Sequence, residues 1–301
     1  MANLQALREG RADVAFVRGG SDDMSRDASA GIMSLGALFY EPLWLFYRPQ
    51  TLQAPVNGAT SEARLTPLTS LTQLRGLRVN IDKAGSGGPV LLQHLLEAND
   101  LTLDDITASN LPPPDAAHAL LTGQIDVIVL VTAPESPVVQ GLLQQPGIAL
   151  ADLPQADALA RRFPFLQTVS LPRGMVDLAR DLPPDDIGLL AATTALLTHE
   201  DTHPALRQRF AQAAQQIHGG SGWFNGARDF PNTRTSELPV SPEGDRAING
   251  TPPFWQRYLP FWASNLLERM WLVIGGLIVL LLPLSRVVPP LYTYRMRKPL
   301  H

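Results

Sequence analysis

LREGRADVAFV at residues 7–17 and LLTGQIDVIVL at residues 120–130 share one pattern, Leu-x-x-Gly-x-x-Asp-Val followed by apolar residues. Apolar residues at spacings of three and four precede Gly10 and Gly123, which predicts two helices that end at these glycines in a left-handed conformation. The continuous apolar runs that follow predict short strands covered by helices on both faces of a sheet. Either copy alone is typical of a common helix-to-strand turn. Together, 113 residues apart, they indicate two related α/β units.

The composition limits the classes of function. With 301 residues, 45% of them apolar, the chain has room for one large domain or for two lobes with an appendage. The net charge is −4, and because the residues from Arg286 onward carry +4, the first 285 residues carry −8. An acidic body argues against a nucleic-acid partner, which needs a basic face. The sequence contains no cysteine, so disulfides, thiolate chemistry and cysteine-ligated metal sites are excluded.

The carboxyl-terminal part is strongly apolar. MWLVIGGLIVLLLPLS, between Arg269 and Arg286, contains no charged residue, and aromatic residues flank it on both sides. A buried core helix is the alternative, but such aromatic flanks are typical of the two membrane interfaces. We therefore predict an aromatic juxtamembrane segment at 254–268, a single transmembrane helix at 269–288 and a cytoplasmic tail at 289–301.

The amino-terminal residues MANLQALREG are charged and amphipathic, and they do not have the apolar centre of a signal sequence. A body on the outer side of the membrane needs an export signal. We therefore expect that Met1 is not the natural start and that the first strand–helix unit of the first lobe precedes it.

Strand and helix patterns alternate along the rest of the chain. An aromatic-rich strand interrupted by Pro42 is predicted at 38–48, after a loop or short helix at 31–38. The other predicted strands lie at 14–17, 77–81, 104–110 and 127–131, and the other predicted helices lie at 89–98 and 204–217. Strands that alternate with helices are typical of βαβ units in a mainly parallel sheet.

The predicted fold class is α/β with two lobes. Its predicted parts are a truncated first lobe, a connector, a second lobe, a return to the first lobe and an irregular surface segment, at 1–48, 49–76, 77–168, 169–218 and 219–253. The irregular segment is rich in glycine, proline, serine and threonine.

GSGG at residues 85–88 is the most suggestive short motif. Between a strand and a helix, its backbone amides and the positive end of the helix could bind a carboxylate. A P-loop would need Gly-Lys-Ser/Thr and a dinucleotide site would need a third glycine, and the sequence has neither. A purely structural turn is the alternative. Ser86 lacks the Gly-x-Ser-x-Gly context of a hydrolase nucleophile.

Other polar residues are weaker candidates. His199 and His203 have a helical metal-ligand spacing but precede a helix instead of lying on one, so we predict no metal site. Asp13 and Asp126 are predicted to serve as turn and cap residues instead of catalytic acids. They lie at the starts of strands, whereas α/β sheets bind ligands at the carboxyl ends of their strands. Three arginines, Arg18, Arg48 and Arg173, could each be surface charges.

Loops that follow the predicted strands are the best candidates for a ligand site, since strand ends of two facing lobes would line a cleft. We predict contacts from backbone amides instead of reactive side chains, and we predict no catalytic residue, metal or cofactor. The candidate ligand-binding residues are Gly19, Gly20, Ser21, Tyr40, Glu41, Ser86, Gly87, Gly88, Thr132 and Ser136.

Four segments, in this order, resemble the TAXI-type solute-binding receptors of TRAP transporters, in the subgroup with a carboxyl-terminal membrane anchor. They are NLQALREGRADVAFVRGG, LRGLRVNIDKAGSGG, ALLTGQIDVIVLVTAPESPVVQGL and GTPPFWQRYLPFWASNLLERMW. The similarity runs from about residue 3 to residue 297, and the last segment is the most specific. Family members usually have Gly-Ser-Gly-Thr where this chain has Gly88 in the threonine position, so the resemblance does not extend to a hydroxyl contact there.

The resemblance implies a type II periplasmic binding protein with two α/β lobes, joined by crossing strands, that closes on a small organic anion such as an amino acid or dicarboxylate. It further implies a receptor, not an enzyme, that is anchored to the inner membrane with its body outside and delivers the solute to an ion-driven permease. It also implies a signal segment and a first strand with a glycine-rich loop before the position that matches Asn3.

Two other functions fit parts of the sequence. A membrane-anchored sensory domain of a signalling protein would share the fold and the anchor, but would continue into a cytoplasmic module. A hydrolase of similar architecture would need a general base near Ser86.

Overall fold

The computed structural model describes residues 2–20, 24–52, 66–83 and 86–250, together with positions 263, 266, 270, 273, 275–277 and 279. The chain divides into two compact units, Met1–Gly250 and Thr251–His301. The first unit contains every strand found among the described residues.

The described strands form one eight-stranded sheet. They are β1 (Val14–Arg18), β2 (Ile32–Tyr47), β3 (Arg78–Asn80), β4 (Thr107–Ser109), β5 (Val127–Val131), β6 (Ala149–Leu150), β7 (Leu166–Leu171) and β8 (Ile187–His199). The α-helices are α1 (Ala2–Arg8), α2 (Met24–Ser29), α3 (Gly87–Glu97), α4 (Pro113–Leu121), α5 (Pro137–Leu143), α6 (Ala156–Arg162), α7 (Pro204–His218) and α8 (Pro242–Asn249).

Two long strands, β2 and β8, run antiparallel to each other through the whole unit and divide it into two lobes. In the first lobe, β1 pairs with the last part of β8. In the second lobe, β5 pairs with the last part of β2, and β7 pairs with the first part of β8. The predicted two-lobed α/β fold with crossing strands is therefore confirmed.

The prediction of a mainly parallel sheet is wrong. Between the described strands, parallel pairing is limited to β3 with β4 and β3 with β5, and the other strand pairs are antiparallel. The physical reason is that β2 and β8 form an antiparallel ribbon. The strands that pair with β2 or β8 within one lobe also run antiparallel to that partner; they are β1, β5, β6 and β7.

Pro42 marks the point where β2 changes partner. The pairing with β8 ends at Pro42, opposite Ala191, and the pairing with β5 begins at Leu43, opposite Val131. Proline has no N–H to donate, so it fits where one ladder stops and another begins. The strand therefore continues through Pro42 instead of being interrupted. It also begins at Ile32, so the loop or short helix predicted at 31–38 is wrong.

Alternate residues of β5 enter two different cores, which explains its continuous apolar sequence. Val127 and Val129 pack into one cluster, whereas Ile128 and Leu130 pack into a second cluster on the other face. Strand β1 differs, because its Phe16 is 52% exposed. The prediction of helices on both faces is therefore confirmed for the second copy of the repeat and wrong for the first.

The helix-ending glycines of the repeat are confirmed. Gly10 follows α1 with φ 65°, and Gly123 follows α4 with φ 77°. Residues with a side chain rarely adopt this left-handed backbone conformation, whereas glycine adopts it without steric strain.

Alanine substitutions at these two glycines should have unequal effects on stability. Gly10→Ala should lower the free energy of unfolding by about 1–2 kcal/mol through backbone strain alone. A Cβ at Gly10 meets nothing within 4 Å, so no steric clash adds to the strain. Gly123→Ala should cost about 1 kcal/mol more, because its Cβ would lie 2.6 Å from Arg48 Nη1 and displace an arginine that binds Asp126. Urea denaturation of both variants measures the difference, and equal midpoints would contradict it.

The segment predicted as irregular at 219–253 contains one helix, α8. Two isolated bridges attach this segment to the first part of β2, Val240 with Ser34 and Asn232 with Ala37. The described part of this segment, 219–250, therefore packs against the first lobe.

The transmembrane helix predicted at 269–288 must be corrected. A span needs about 20 apolar residues in one helix, and the described part of the chain contains no helix that is long and apolar enough. In 269–288 the described positions are 270, 273, 275–277 and 279, and the rest of that range lies outside the described residues, as do the predicted tail and most of the juxtamembrane segment.

Candidate functional site

The two copies of the repeat meet at their strand ends. Strands β1 and β5 run towards each other, one from each lobe, because they flank antiparallel partners. Arg18 ends β1, and its Nη2 donates a hydrogen bond of 2.9 Å to the carbonyl of Val131, which ends β5. The two residues are separated by 113 positions, the same offset as the repeat. Equivalent positions of the two copies therefore join the lobes.

Arg18 is held by a second contact. Its Nε donates to the carboxylate of Glu41, which lies on β2 where this strand passes from one lobe to the other. The two side chains are only 20% and 17% exposed. Such a pair interacts more strongly than one in open solvent, and separating it would leave a poorly hydrated charge. The suggestion that Arg18 is a surface charge is therefore wrong.

Gly19 and Gly20 follow Arg18 and are covered by two side chains. The amide of Gly20 donates to both carboxylate oxygens of Glu237, at 3.1 and 3.3 Å. A Cβ on Gly20 would lie 2.5 Å from the ring of Phe165, and Gly20 has φ 73°. The glycines thus allow both a carboxylate and an aromatic ring to approach the backbone closely.

A small cavity lies beside this loop. Its volume is about 20 Å³, enough for one water-sized group. The side chain of Thr193 is 6% exposed, and its Oγ1 is buried without a hydrogen-bond partner among the described residues. The residues that line the cavity are Val17, Arg18, Gly19, Thr193, Ala195, Leu197, Thr235, Glu237 and Leu238.

A second, larger cavity of about 390 Å³ contains Tyr40 and the loop at 133–135, one from each lobe. Four aromatic residues line it, Phe39, Tyr40, Trp223 and Phe224, and the ring of Tyr40 packs edge-on against Phe230 with ring centres 4.7 Å apart. Burial and the nearby Asp229 carboxylate raise the pKa of Tyr40, so its hydroxyl stays protonated. Tyr40 therefore lines the larger cavity, whereas its neighbour Glu41 lines neither cavity and binds Arg18 instead.

The remaining candidates are distributed along the second lobe. Ser86 precedes α3, and its amide and hydroxyl both donate to the carbonyl of Lys83 within the same loop. Gly87 and Gly88 form the first turn of α3. The backbone of Thr132 is engaged, because its carbonyl accepts a hydrogen bond of 2.9 Å from Trp44 Nε1.

Ser136 precedes α5 without capping it through its side chain. Ser21 lies outside the described residues. Gly19, Gly20 and Glu41 are the predicted residues that the described contacts bring together around Arg18.

Asp126 immediately precedes β5, and its carboxylate has a structural role there. Its carboxylate accepts hydrogen bonds from the backbone and side chain of Arg78 and from the side chain of Arg48. These bonds connect β5 to β3 and to the end of β2. Arg48 is therefore not a free surface charge, whereas Arg173, at 63% exposure, pairs with Asp181 on the surface.

Three residues of the site were missed by sequence analysis. Phe165, Thr193 and Glu237 lie far along the chain from the glycine loop that they contact or face, and none belongs to a recognisable motif. Among the described residues, no group of three or more acidic or histidine side chains is arranged to hold a metal ion. The site can offer a guanidinium, backbone amides, two carboxylates and a buried hydroxyl to a polar solute.

One family model and several solved structures are similar to this chain. A family model described as the NMT1-like family matches residues 1–206. Among solved structures, the chain is 17% identical to the periplasmic aliphatic sulphonate binding protein SsuA from Escherichia coli, covering 83% of this chain and 66% of that one, with a TM-score of 0.42.

An amino acid ABC transporter substrate-binding protein, AbpA from Streptococcus pneumoniae bound to L-arginine, is 16% identical over 71% of this chain and 65% of that one, with a TM-score of 0.39. The chain thus spans about two thirds of the length of these two structures.

Proposed function

This chain belongs to the NMT1-like family, and on that premise we propose that it is an extracytoplasmic solute-binding receptor that captures a small organic molecule between its two lobes. The ligand class that we propose is the amino acid or dicarboxylate class. The chain would act by binding and release, without chemical change of the solute.

The contact between Arg18 and Val131 carries the proposal. A side chain from the end of one lobe's strand binds the backbone at the end of the other lobe's strand, beside the only two strands among the described residues that run through both lobes. A solute at this junction touches both lobes at once. It can therefore favour a closed arrangement by its differential affinity for the open and closed states.

The transport system that we propose is of the TRAP type, in which a membrane permease receives the solute from the receptor. The support is the resemblance of four ordered segments to TAXI-type receptors, including the repeat that supplies Arg18 and Val131. The lobe closure described above would present a loaded receptor to that permease in a shape that differs from the empty one.

Ligand-dependent stabilisation tests the proposal. Full-length protein is heated with each amino acid and each dicarboxylate of a panel, and a true ligand at 100 times its dissociation constant should add about 2.7 kcal/mol of stability. If no compound of the panel raises the melting temperature, the proposed ligand class is wrong.

The Gly87→Val variant then tests whether the loop before α3 contributes backbone amides. A β-branched side chain in the first turn of α3 should weaken binding by about tenfold or more, because it blocks close approach of a ligand to these amides. Gly141→Val is the matched control, since this glycine lies within α5 and a Cβ there meets nothing within 4 Å. Unchanged affinity in Gly87→Val removes this loop from the site.

A further inference from the structure

Glu237 is a partly buried carboxylate without a cationic partner among the described residues. Among the residues that the structure describes, its hydrogen bonds are the two from the amide of Gly20, and no ion pair includes it. Burial raises its pKa, and the Gly20 amide opposes that effect. A charge removed from water without a counter-charge is costly, so a cation at this position would stabilise the protein.

Arg18 does not supply that cation. It lines the same cavity, but its Nε is bound to Glu41 and its Nη2 is bound to the carbonyl of Val131. The three side chains Arg18, Glu41 and Glu237 together carry one negative charge. A second carboxylate brought to this cavity would be repelled, whereas a cation would be attracted.

The cavity also offers a second acceptor. Thr193 lines the cavity with Glu237, and its Oγ1 is buried and has no hydrogen-bond partner among the described residues. A buried hydroxyl without a hydrogen bond is unusual and calls for a missing donor. The volume of about 20 Å³ fits one group of the size of water or of an –NH₃⁺ head, and an ammonium group has three hydrogens to donate and none to accept.

We propose that the cavity between Glu237 and Thr193 binds the ammonium group of the solute. This inference rests on the proposed function and narrows it: the receptor takes amino acids in preference to dicarboxylates and other acids that lack the amine. The glutamate at position 237 is then a specificity-determining residue, and Thr193 is its partner.

Matched pairs of compounds that differ only in the amine test the inference. The pairs are L-glutamate with glutarate, L-aspartate with succinate, and L-leucine with 4-methylpentanoate, titrated calorimetrically into the full chain. We expect that the amine-bearing member of a pair that binds will bind about 10- to 100-fold more tightly, because hydrogen bonds to a buried charge are the strong ones.

Variants then assign that preference to the cavity. Glu237→Gln should remove most of the preference for the amine while retaining the shape of the site. Thr193→Val should reduce the preference by a smaller factor, about three- to tenfold, and valine suits the strand β8 in which it lies. Glu97→Gln is the matched control, because Glu97 is an exposed acid at the end of α3 that lines neither cavity, and it should leave the preference unchanged.

The outcomes separate the two proposals. If both members of a pair bind equally, or if Glu237→Gln and Thr193→Val retain the full preference, the ammonium site is wrong while the receptor function stands; a buried water molecule between Glu237 and Thr193 would give this result. If no member of any pair binds, the proposed ligand class fails, and the ammonium site fails with it.

Discussion

Asp126→Ala is expected to lower the free energy of unfolding by about 2–4 kcal/mol. The Asp126 side chain is 9% exposed and accepts hydrogen bonds from Arg78 N at 3.0 Å, from Arg78 Nη2 at 2.6 Å and from Arg48 Nη2 at 3.2 Å. Removing it leaves two guanidinium groups and one backbone amide without their acceptor, and breaking a buried pair from one side costs several kcal/mol. Urea denaturation followed by circular dichroism measures the loss.

Asp181→Ala is the matched control for this substitution. Asp181 also forms two short hydrogen bonds to one arginine, Arg173, but the two side chains are 47% and 63% exposed. An exposed pair contributes about 0–1 kcal/mol. Equal losses in Asp126→Ala and Asp181→Ala would mean that burial of the Asp126 network does not matter to stability.

The effect of Asp126 should depend on pH in a defined direction. Burial tends to raise the pKa of Asp126, but the hydrogen bonds from Arg78 and Arg48 outweigh it and lower the pKa overall. A lowered pKa stabilises the folded state above the unfolded value of about 3.9, and this stabilisation is lost as the pH falls through the folded pKa. The stability gap between wild type and Asp126→Asn should therefore be full at neutral pH and shrink below about pH 4.

Arg18→Met is the second substitution with a large expected effect. It keeps the length of the side chain but removes the charge, so that Glu41 at 17% exposure loses its partner and the carbonyl of Val131 loses a donor. The expected loss is about 2–4 kcal/mol. Because Arg18 joins the two lobes where the solute is proposed to bind, we also expect solute affinity to fall.

A double mutant separates the unpaired charge from the lost contact. Arg18→Met combined with Glu41→Gln removes both charges, so it should be more stable than Arg18→Met alone. Arg173→Met is the exposed control and should cost less than about 1 kcal/mol. If Arg18→Met unfolds within 0.5 kcal/mol of wild type, roughly the scatter of surface substitutions, the junction does not hold the lobes together.

Local structure was predictable where it depends on neighbouring residues. The repeat predicted the left-handed Gly10 and Gly123 and the strands that follow them, because helix ends and apolar runs are local signals. Strand direction was not predictable in this way. The partner of β1 is β8, and the hydroxyl of Thr198 on β8 bonds the carbonyl of Asp13, which lies 185 residues earlier. A pattern of neighbouring residues does not predict a pairing between strands that lie so far apart in the sequence.

The candidate site shows the same division. The loop at Gly19 and Gly20 was predicted as part of the site because it follows a predicted strand. Glu237, which binds the amide of Gly20, lies 217 residues away along the chain and was not predicted. Arg18 carried one usable signal, since it occupies the position in the first copy of the repeat that Val131 occupies in the second. Equivalent positions of related units are candidates for mutual contact when the units face each other.

The change of partner at Pro42 has a consequence for cooperativity. One continuous strand, β2, supplies the ladder of the first lobe up to Pro42 and that of the second lobe from Leu43 onward. If one lobe unfolds, the lobe that stays folded retains β2, but the half of β2 that belonged to the unfolded lobe no longer has paired strands beside it. Partial unfolding is therefore unfavourable, so we expect the two lobes to unfold together and a destabilised lobe to weaken the other.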